Sequence, residues 1–220
     1  MPGADDGGHS TTDLHEVLAE ARDAGFLGPG PLEPQIHHAE GFAAVARRLV
    51  PAGAASLVDL GSGGGLPGLV VAVGWPEAEM ALLEANGRRA AFLRRAVDRL
   101  GLAGRVRVLE ERAEDCGRRD GLRAGFDGAL ARSFGRPAVV AECAAPLLKP
   151  GVWLVVSEPP RTGPDEEPDV RWPPEPLRQL GLEPAEVVHA DFEFRTLRQV
   201  VPCPERFPRR NGVPAKRPLF

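Results

Sequence analysis

The 220-residue sequence predicts an α/β fold in which a mostly parallel sheet of six or seven strands ends in an antiparallel hairpin. From residue 56 to residue 180, apolar strand patterns alternate with helical patterns, and this alternation predicts a parallel sheet with helices on both faces. The last two strand patterns, near 185–193 and 195–202, meet at Phe194 and Arg195 with almost no connection. Because parallel strands need a long crossover, these two strands must be antiparallel.

The elements before the sheet are a leader and two helices. Residues 1–12 are rich in Gly and Asp and are expected to be disordered. Apolar residues at helical spacing predict one helix that stops near Gly25 and a second that ends before Pro51, so 13–50 forms a helical N-terminal extension. In the remaining domain, 51–220, strands are predicted at 56–60, 79–83, 105–109, 126–131 and 151–157, and helices at 66–74, 87–100, 136–147 and 173–180.

Composition restricts the location of the protein and its partners. A formal charge of −4 argues against a wholesale polyanion binder but leaves room for a local basic face. The N-terminus lacks the bases of a signal peptide, and no apolar run approaches the roughly 20 residues of a membrane helix, so we expect a cytoplasmic protein without membrane contact. Cys116, Cys143 and Cys203 have neither zinc spacing nor an even count, which predicts unpaired thiols and no metal site.

The first predicted strand carries Asp59 and leads into a glycine-rich turn, GSGGG at 61–65. Glycines let the backbone approach a ligand closely, and the following helix directs its N-terminus into the same crevice. A nicotinamide dinucleotide prefers G-x-G-x-x-G here, but Leu66 stands three residues after Gly63. Asp59 would repel a pyrophosphate, whereas it can bind the ammonium group of a methionine moiety. The turn therefore favours S-adenosylmethionine over a dinucleotide.

Two more acids extend this interpretation. Glu84 closes the second strand, where a carboxylate can accept hydrogen bonds from both ribose hydroxyls; the alternative is a solvated strand-end glutamate. Ala113 and Glu114 follow the third strand, where a backbone N–H and a carboxylate can read an adenine edge; the alternative is an ordinary loop acid. The predicted cofactor-binding residues are Asp59, Gly61, Ser62, Gly63, Gly65, Leu66, Glu84, Ala85, Ala113, Glu114 and Arg132.

Several stretches resemble the bacterial small-subunit ribosomal RNA (guanine-N7) methyltransferase G family, also called glucose-inhibited division protein B. They are DLGSGGGLPG, LLEANGRRAAFLRRAVDRLGL, ERAED, ARSF, AAPLLKPG and FPRRNGVPAKRPL, and they span roughly residues 36–219. The resemblance implies a Rossmann-like class I S-adenosylmethionine-dependent methyltransferase domain at 51–220, with a mostly parallel seven-stranded sheet and a basic C-terminal tail. It also implies methyl transfer to N7 of a guanine in small-subunit ribosomal RNA, with S-adenosylhomocysteine as product.

Methylation of N7 needs few catalytic groups, because this atom carries a lone pair and no proton. Orientation and a shielded cleft suffice, and no general base is expected. Arg132, at the end of strand four, matches the arginine of the family's Ser-Arg-Ala-Phe motif and is expected to orient the substrate by holding a phosphate or a guanine edge. The alternative is an arginine paired with a local acid. The RNA-binding candidates are His38, Arg209, Arg210 and Lys216; the expected partner is ribosomal RNA or the small ribosomal subunit, bound by a monomer.

The sequence departs from the family pattern in two places. Ser157, Glu158 and Pro159 stand where the family has Leu-Lys-Gly, so that an acid replaces a lysine expected to face RNA. The family's Arg-His-x-x-Asp-Ser is represented by HHAEGF at 37–42, and the Pro-rich, acidic stretch 161–176 is expected to be a mobile loop. These departures leave open a methyltransferase fold redirected to a small molecule or protein acceptor, or a cofactor-binding protein without RNA methylation activity.

Overall fold

The computed structural model describes residues 11–50, 55–159, 171–189 and 191–220. The first helix begins at Thr11, so the last two residues assigned to the predicted leader are helical, and the rest of the leader lies outside the described residues. Most of the predicted mobile loop, 161–176, also lies outside them. Its described end contains Trp172 and the beginning of a short helix at Pro174.

Seven strands within the described ranges form one sheet. They are β1 Ser56–Leu60, β2 Glu79–Leu83, β3 Val106–Leu109, β4 Phe126–Ala131, β5 Leu148–Ser157, β6 Leu182–His189 and β7 Glu193–Gln199. Their order is β3-β2-β1-β4-β5-β7-β6; the first five are mutually parallel, and β7 is antiparallel to both of its neighbours. This arrangement confirms the predicted class I methyltransferase fold and its C-terminal hairpin.

The hairpin turns at a different place from the predicted one. Phe194 and Arg195, predicted to connect the strands, lie inside β7, paired with Val188 and Val187 of β6. Phe194 is completely buried and packs edge-on against Phe42 at 4.9 Å between ring centroids. Residues 185–193 contain no Gly or Pro that would mark the turn in the sequence. The place of Phe194 in the strand is decided by burial of its ring.

The helices cover both faces of the sheet. Helix α4 begins where predicted because the side-chain oxygen of Asn86 accepts hydrogen bonds from the N–H groups of Arg88 and Arg89, at 3.0 and 3.2 Å. No helix in the described ranges has the length and apolar character required to cross a membrane. The helices are α1 Thr11–Asp23, α2 Leu32–Leu49, α3 Gly68–Gly74, α4 Gly87–Arg99, α5 Ala113–Cys116, α6 Pro137–Ala144, α7 Pro174–Arg178 and α8 Val213–Lys216.

Two hydrophobic clusters fill the two sides of the sheet. One joins Leu18 of α1 and Phe42 of α2 to Leu57 of β1 and Phe194 of β7. The N-terminal helices therefore share a core with the sheet, although the sequence suggests a separate extension. The other cluster lies under α6 and α7 and includes Trp172.

The order of strands places a crevice at the carboxyl end of β1. Strand β1 lies between β2 and β4, so the chain leaves the sheet in opposite directions at this point, and open α/β sheets bind ligands at such a switch. Four polar residues singled out in the sequence lie at the carboxyl ends of adjacent strands. They are Asp59 on β1, Glu84 after β2, Arg132 after β4 and Glu158 after β5.

Candidate functional site

Asp59 lies beneath the glycine-rich turn and is completely buried. Its Oδ2 accepts a hydrogen bond of 3.1 Å from the N–H of Gly68, at the start of α3, and a Cβ at position 68 would lie only 2.6 Å from that oxygen. Its Oδ1 is buried and has no hydrogen-bond partner among the described residues. Burial raises the pKa of Asp59 to about 7, although the Gly68 N–H and the charge of Arg132 act in the opposite direction. The carboxyl group can therefore accept a hydrogen bond from a bound cation.

Gly61 shows why the turn needs a glycine. Its φ of +68° is a left-handed conformation that other residues rarely adopt, and a Cβ would lie 2.7 Å from Cδ2 of Phe134. The N–H of Gly61 donates to the carbonyl oxygen of Leu83 at 2.8 Å, which ties the turn to the end of β2. The ring of Phe134 thus packs directly on the backbone of the turn.

Glu84 connects the turn to the helix that follows β2. Its Oε2 accepts from the N–H of Gly63 at 2.9 Å, and its Oε1 accepts from the N–H of Asn86 at 2.7 Å. Each carboxylate oxygen retains a further acceptor position for a ligand hydroxyl. Glu84 is therefore a structural support of the turn, and its predicted contact with ribose stays a prediction.

A cavity of about 220 Å³ lies above the turn, and we call it the loop cavity. Four of the predicted cofactor-binding residues line it: Gly61, Glu84, Ala85 and Ala113. Ser62, Gly63 and Gly65 belong to the turn itself, and Leu66 is buried in the core cluster. The residues that line the loop cavity are Gly61, Leu83, Glu84, Ala85, Arg89, Glu111, Ala113, Ser133 and Phe134.

Glu114 is directed to the C-terminal tail. Its Oε1 accepts a hydrogen bond of 2.9 Å from the N–H of Gly212. Burial alone would raise the pKa of Glu114, but the Gly212 N–H and the neighbouring Arg112 hold this pKa below its usual value. The carboxylate thus anchors the tail. Glu114 does not line the loop cavity, and its contact with an adenine edge stays a prediction.

A second cavity, of about 330 Å³, lies beside the loop cavity, and we call it the arginine cavity. Arg132 lines it, and its Nη1 donates to the carbonyl oxygen of Gln35 on α2 at 3.3 Å. Burial lowers the pKa of Arg132, and Asp59 opposes that shift. Within the described residues the guanidinium forms no salt bridge, which disfavours the alternative of an arginine paired with a local acid.

Ser133 and Phe134 line both cavities, and sequence reasoning missed them as site residues. Ser133 has a φ of +55°, a conformation that costs a non-glycine residue roughly 1 kcal/mol or more. This turn directs Arg132 into one cavity and Phe134 between the two. The ARSF stretch carries the signal for both residues, since Ser133 and Phe134 directly follow Arg132.

His38 lies in the arginine cavity rather than on an outer RNA-binding surface. Its ring stacks on Phe194 at 5.4 Å between centroids, and its Nδ1 is buried without a partner among the described residues. Burial, assisted by the charge of Arg132, lowers the pKa of His38 to about 4. The imidazole is therefore neutral at pH 7 and can donate or accept a hydrogen bond in the cavity.

Glu158 also lines the arginine cavity, and its charge is balanced there. Its carboxylate accepts hydrogen bonds from Nη1 of Arg171 and from Nε1 of Trp172, a residue that is 1% exposed. The sequence suggested that this acid would oppose RNA, but it could not show that Arg171 neutralises it. Trp172 was missed because it lies inside the Pro-rich insertion.

The tail uses one of its predicted RNA-binding residues for folding. The backbone N–H, Nε and Nη2 of Arg209 donate to the carboxylate of Glu142, at 2.8, 2.8 and 2.6 Å, and Glu142 is completely buried. Arg210 and Lys216 are exposed. Arg209 therefore holds the tail against α6, which leaves Arg210 and Lys216 as the candidates of the tail for contact with RNA.

The described residues hold no group of three or more His, Cys, Asp or Glu side chains that could bind a metal ion. Cys116, Cys143 and Cys203 are buried free thiols, as predicted, and burial raises the pKa of each of them. These thiols are suited to packing rather than to nucleophilic chemistry.

Comparisons with known proteins agree with this arrangement. The O-methyltransferase from Bacillus cereus, solved in complex with SAH, has a TM-score of 0.61 at 18% identity and covers 86% of this chain and 90% of its own. A putative O-methyltransferase from Klebsiella pneumoniae has a TM-score of 0.55 at 18% identity, with 91% of both chains covered. At such identities the likeness shows the shared fold alone.

Sequence relatives are more specific. The Ribosomal RNA small subunit methyltransferase G of Moorella thermoacetica is 35% identical over 173 residues, which cover 76% of this chain and 70% of the relative. The protein of the same name from Parasynechococcus marenigrum is 38% identical over 169 residues, which cover 74% of this chain and 66% of the relative. Residues 40–157, from α2 through the glycine turn, Glu84 and Arg132 to the end of β5, match the family described as GidB, rRNA small subunit methyltransferase G. All residues that line the loop cavity, and most of those that line the arginine cavity, lie within this match. The chain belongs to the rRNA small subunit methyltransferase G family.

Proposed function

We propose that this protein binds S-adenosylmethionine in the loop cavity and transfers its methyl group to N7 of a guanine in small-subunit ribosomal RNA. The observation that carries the proposal is the buried Oδ1 of Asp59, which has no partner among the described residues. Asp59 lies on β1, between the strands that lead to Glu84 and to Arg132. This buried oxygen lacks a hydrogen-bond donor, and the ammonium group of a ligand can supply one.

The residues around the turn fit S-adenosylmethionine. The ammonium group of its methionine moiety matches the unpartnered Oδ1 of Asp59, and Gly61 lines the loop cavity. Glu84 has acceptor positions left for ribose hydroxyls, and it already holds the N–H of Gly63. When bound, S-adenosylmethionine supplies an electrophilic methyl group on a sulfonium, and S-adenosylhomocysteine remains.

The arginine cavity is suited to the acceptor base. Arg132 and His38 offer hydrogen bonds to a purine, and the ring of Phe134 separates this cavity from the loop cavity. Burial keeps His38 neutral, so the cavity holds no strong base, and N7 of guanine does not need one. These residues orient the base and exclude water while the N7 lone pair attacks.

RNA recognition outside the cavities is assigned to exposed cations. Arg210 and Lys216 on the tail can contact phosphates, since both are exposed and, in the described part of the chain, neither pairs with a carboxylate as Arg209 does with Glu142. The partner is accordingly the ribosomal RNA itself or the small subunit that contains it, a choice supported by the names of the relatives.

The test is methyl transfer by the purified protein. Small-subunit RNA from a strain that lacks the gene is incubated with labelled S-adenosylmethionine, and N7-methylguanosine is mapped by reduction and chain cleavage. We expect methylation at a defined guanosine. Binding of S-adenosylmethionine without any transfer to RNA or to intact small subunits would instead favour a small-molecule or protein acceptor.

A further inference from the structure

The carboxylate of Glu158 is held rigidly inside the arginine cavity. Its side chain is 11% exposed, and among the described residues each of its two oxygens accepts one hydrogen bond, Oε1 from Trp172 and Oε2 from Arg171. A carboxylate has about four acceptor positions. One acceptor position on each oxygen is therefore left unused by the described residues. Since Glu158 lines the arginine cavity, these positions are available to a ligand there.

We propose that Glu158 recognises the Watson–Crick edge of the acceptor guanine, an inference that rests on the proposed function. Guanine presents two adjacent donors on this edge, N1–H and N2–H₂, which match the two oxygens of one carboxylate. Adenine and cytosine place an acceptor at the corresponding ring nitrogen, where a carboxylate repels it. Enzymes that modify single bases read the extruded base through this edge. The acid that replaces a family lysine thus selects guanine.

The strand order places Glu158 on the correct side of the base. Strand β4 alone separates β5, which leads to Glu158, from β1, which carries Asp59, so the ends of β1 and β5 are about 10 Å apart. In guanine, N7 lies on the opposite side of the ring system from N1 and the N2 amino group. A base held by Glu158 therefore directs N7 towards Asp59 and the methyl donor proposed to bind there.

The same contact assists the reaction. The N7 lone pair forms the new N–C bond while the S–C bond breaks, and its electron pair stays on sulfur. The positive charge moves from the sulfonium to the purine, which makes N1–H a stronger hydrogen-bond donor. Because Glu158 accepts that hydrogen bond, its interaction strengthens in the transition state and raises kcat as well as affinity. No proton has to leave.

The test compares two RNA substrates that carry guanosine or inosine at the mapped position. Inosine keeps N7, O6 and N1–H but lacks the N2 amino group. We expect wild-type protein to prefer guanosine by about tenfold to a hundredfold, as for the loss of one hydrogen bond to a charged group. Glu158→Ala and Glu158→Gln should lower kcat/KM for guanosine about a hundredfold or more, reduce the preference to near one, and leave the Kd for S-adenosylhomocysteine unchanged.

Two variants separate recognition from folding. Glu175→Gln changes an exposed glutamate that is also paired with an arginine, Arg178, and should behave as wild type. Trp172→Phe keeps a ring but removes the N–H that orients Glu158, so it should weaken the preference for guanosine partially. An unchanged guanosine preference in both Glu158 variants would overturn this inference while the proposed function stands. Absence of methylation of either RNA by wild-type protein would overturn both.

Discussion

Asp59 combines complete burial with an oxygen that has no partner among the described residues. A charge in this position is unfavourable unless it is compensated, so burial raises the pKa of Asp59 to about 7, well above the ordinary value of 3.8. The folded protein without ligand therefore binds a proton that the unfolded chain releases in this pH range. The contribution of Asp59 to the free energy of unfolding should therefore be largest below about pH 4 and should fall as the pH rises towards 7.

Asp59→Asn tests this residue with almost no change of shape. In wild-type protein, affinity for S-adenosylmethionine should decrease up to about tenfold per pH unit below pH 7, because protonated Asp59 loses its attraction to the ammonium group. Asp59→Asn should bind S-adenosylmethionine more weakly than wild-type protein at pH 8, and its affinity should not change with pH. Calorimetry between pH 6 and 8 measures both effects. Asp98→Asn, at an exposed position on α4, should keep the wild-type profile, and a pH-dependent Asp59→Asn would contradict the assignment.

Glu158 shows how a single replacement depends on its surroundings. The resemblance predicts a lysine where this chain has Glu158, and Arg171 supplies a cation that contacts the glutamate directly. The cavity thus gains an acceptor without gaining an unbalanced charge. A substitution that looks unfavourable for RNA binding in the sequence is compatible with RNA in the folded protein.

The C-terminal tail acts as a structural element that supports the cofactor region. Arg209 pairs with buried Glu142 on α6, and the N–H of Gly212 binds Glu114 on α5, next to Ala113 of the loop cavity. Arg123 donates to the carbonyl oxygens of Cys203 and Phe207 at 2.7 and 2.8 Å, which fixes the beginning of the tail. Packing contacts therefore account for Arg209 and Gly212 of the PRRNGVPAK stretch.

Arg209 and Arg210 are adjacent and should behave in opposite ways. Arg209→Ala leaves the buried carboxylate of Glu142 without its charged partner, with only the backbone N–H of residue 209 still donating to it, and should reduce the free energy of unfolding by about 3 kcal/mol. Arg210→Ala removes an exposed cation and should change stability by less than about 0.5 kcal/mol while weakening RNA binding. Denaturant unfolding and filter binding of RNA at two salt concentrations distinguish the two roles. Equal stability of the two variants would show that the pair with Glu142 contributes little.

Helices α1 and α2, which the sequence predicts as an N-terminal extension, share a hydrophobic core with the sheet. Leu18 of α1 is completely buried in the same cluster as Leu57 and Phe194 of the sheet. Because this cluster spans elements from both ends of the chain, the N-terminal helices and the sheet should unfold together.

Leu18→Ala tests this cooperativity. The cavity created should lower the free energy of unfolding by about 3–5 kcal/mol, and it should shift the far-UV dichroism and tryptophan fluorescence transitions equally. Trp75 reports from the cluster that contains Leu18 and Trp172 from the opposite cluster, so fluorescence follows both sides of the sheet. His15→Ala, exposed on the same helix, should stay within about 0.5 kcal/mol of wild type. A separate helical transition at lower denaturant would show an independent extension.

The sequence alone determined the strands, the parallel sheet with its terminal hairpin, the glycine turn and the polar residues at the strand ends. These features depend on local periodicity, on turn residues and on the carboxyl-edge rule, all of which can be read along the chain. Gly61, Gly63 and Gly65 have positive φ, so their identity is a local property too.

Only the tertiary structure decided which polar groups are used within the protein and which are left for ligands. Glu114 and Arg209 are held by the tail and by Glu142, while Oδ1 of Asp59 stays unpartnered among the described residues. Trp172 and Arg171 reach Glu158 from beyond the Pro-rich stretch, and Phe194 is placed in β7 by its contact with α2. These outcomes depend on burial and on contacts between residues distant in sequence, because the cost of an unpaired buried group is set by the folded environment.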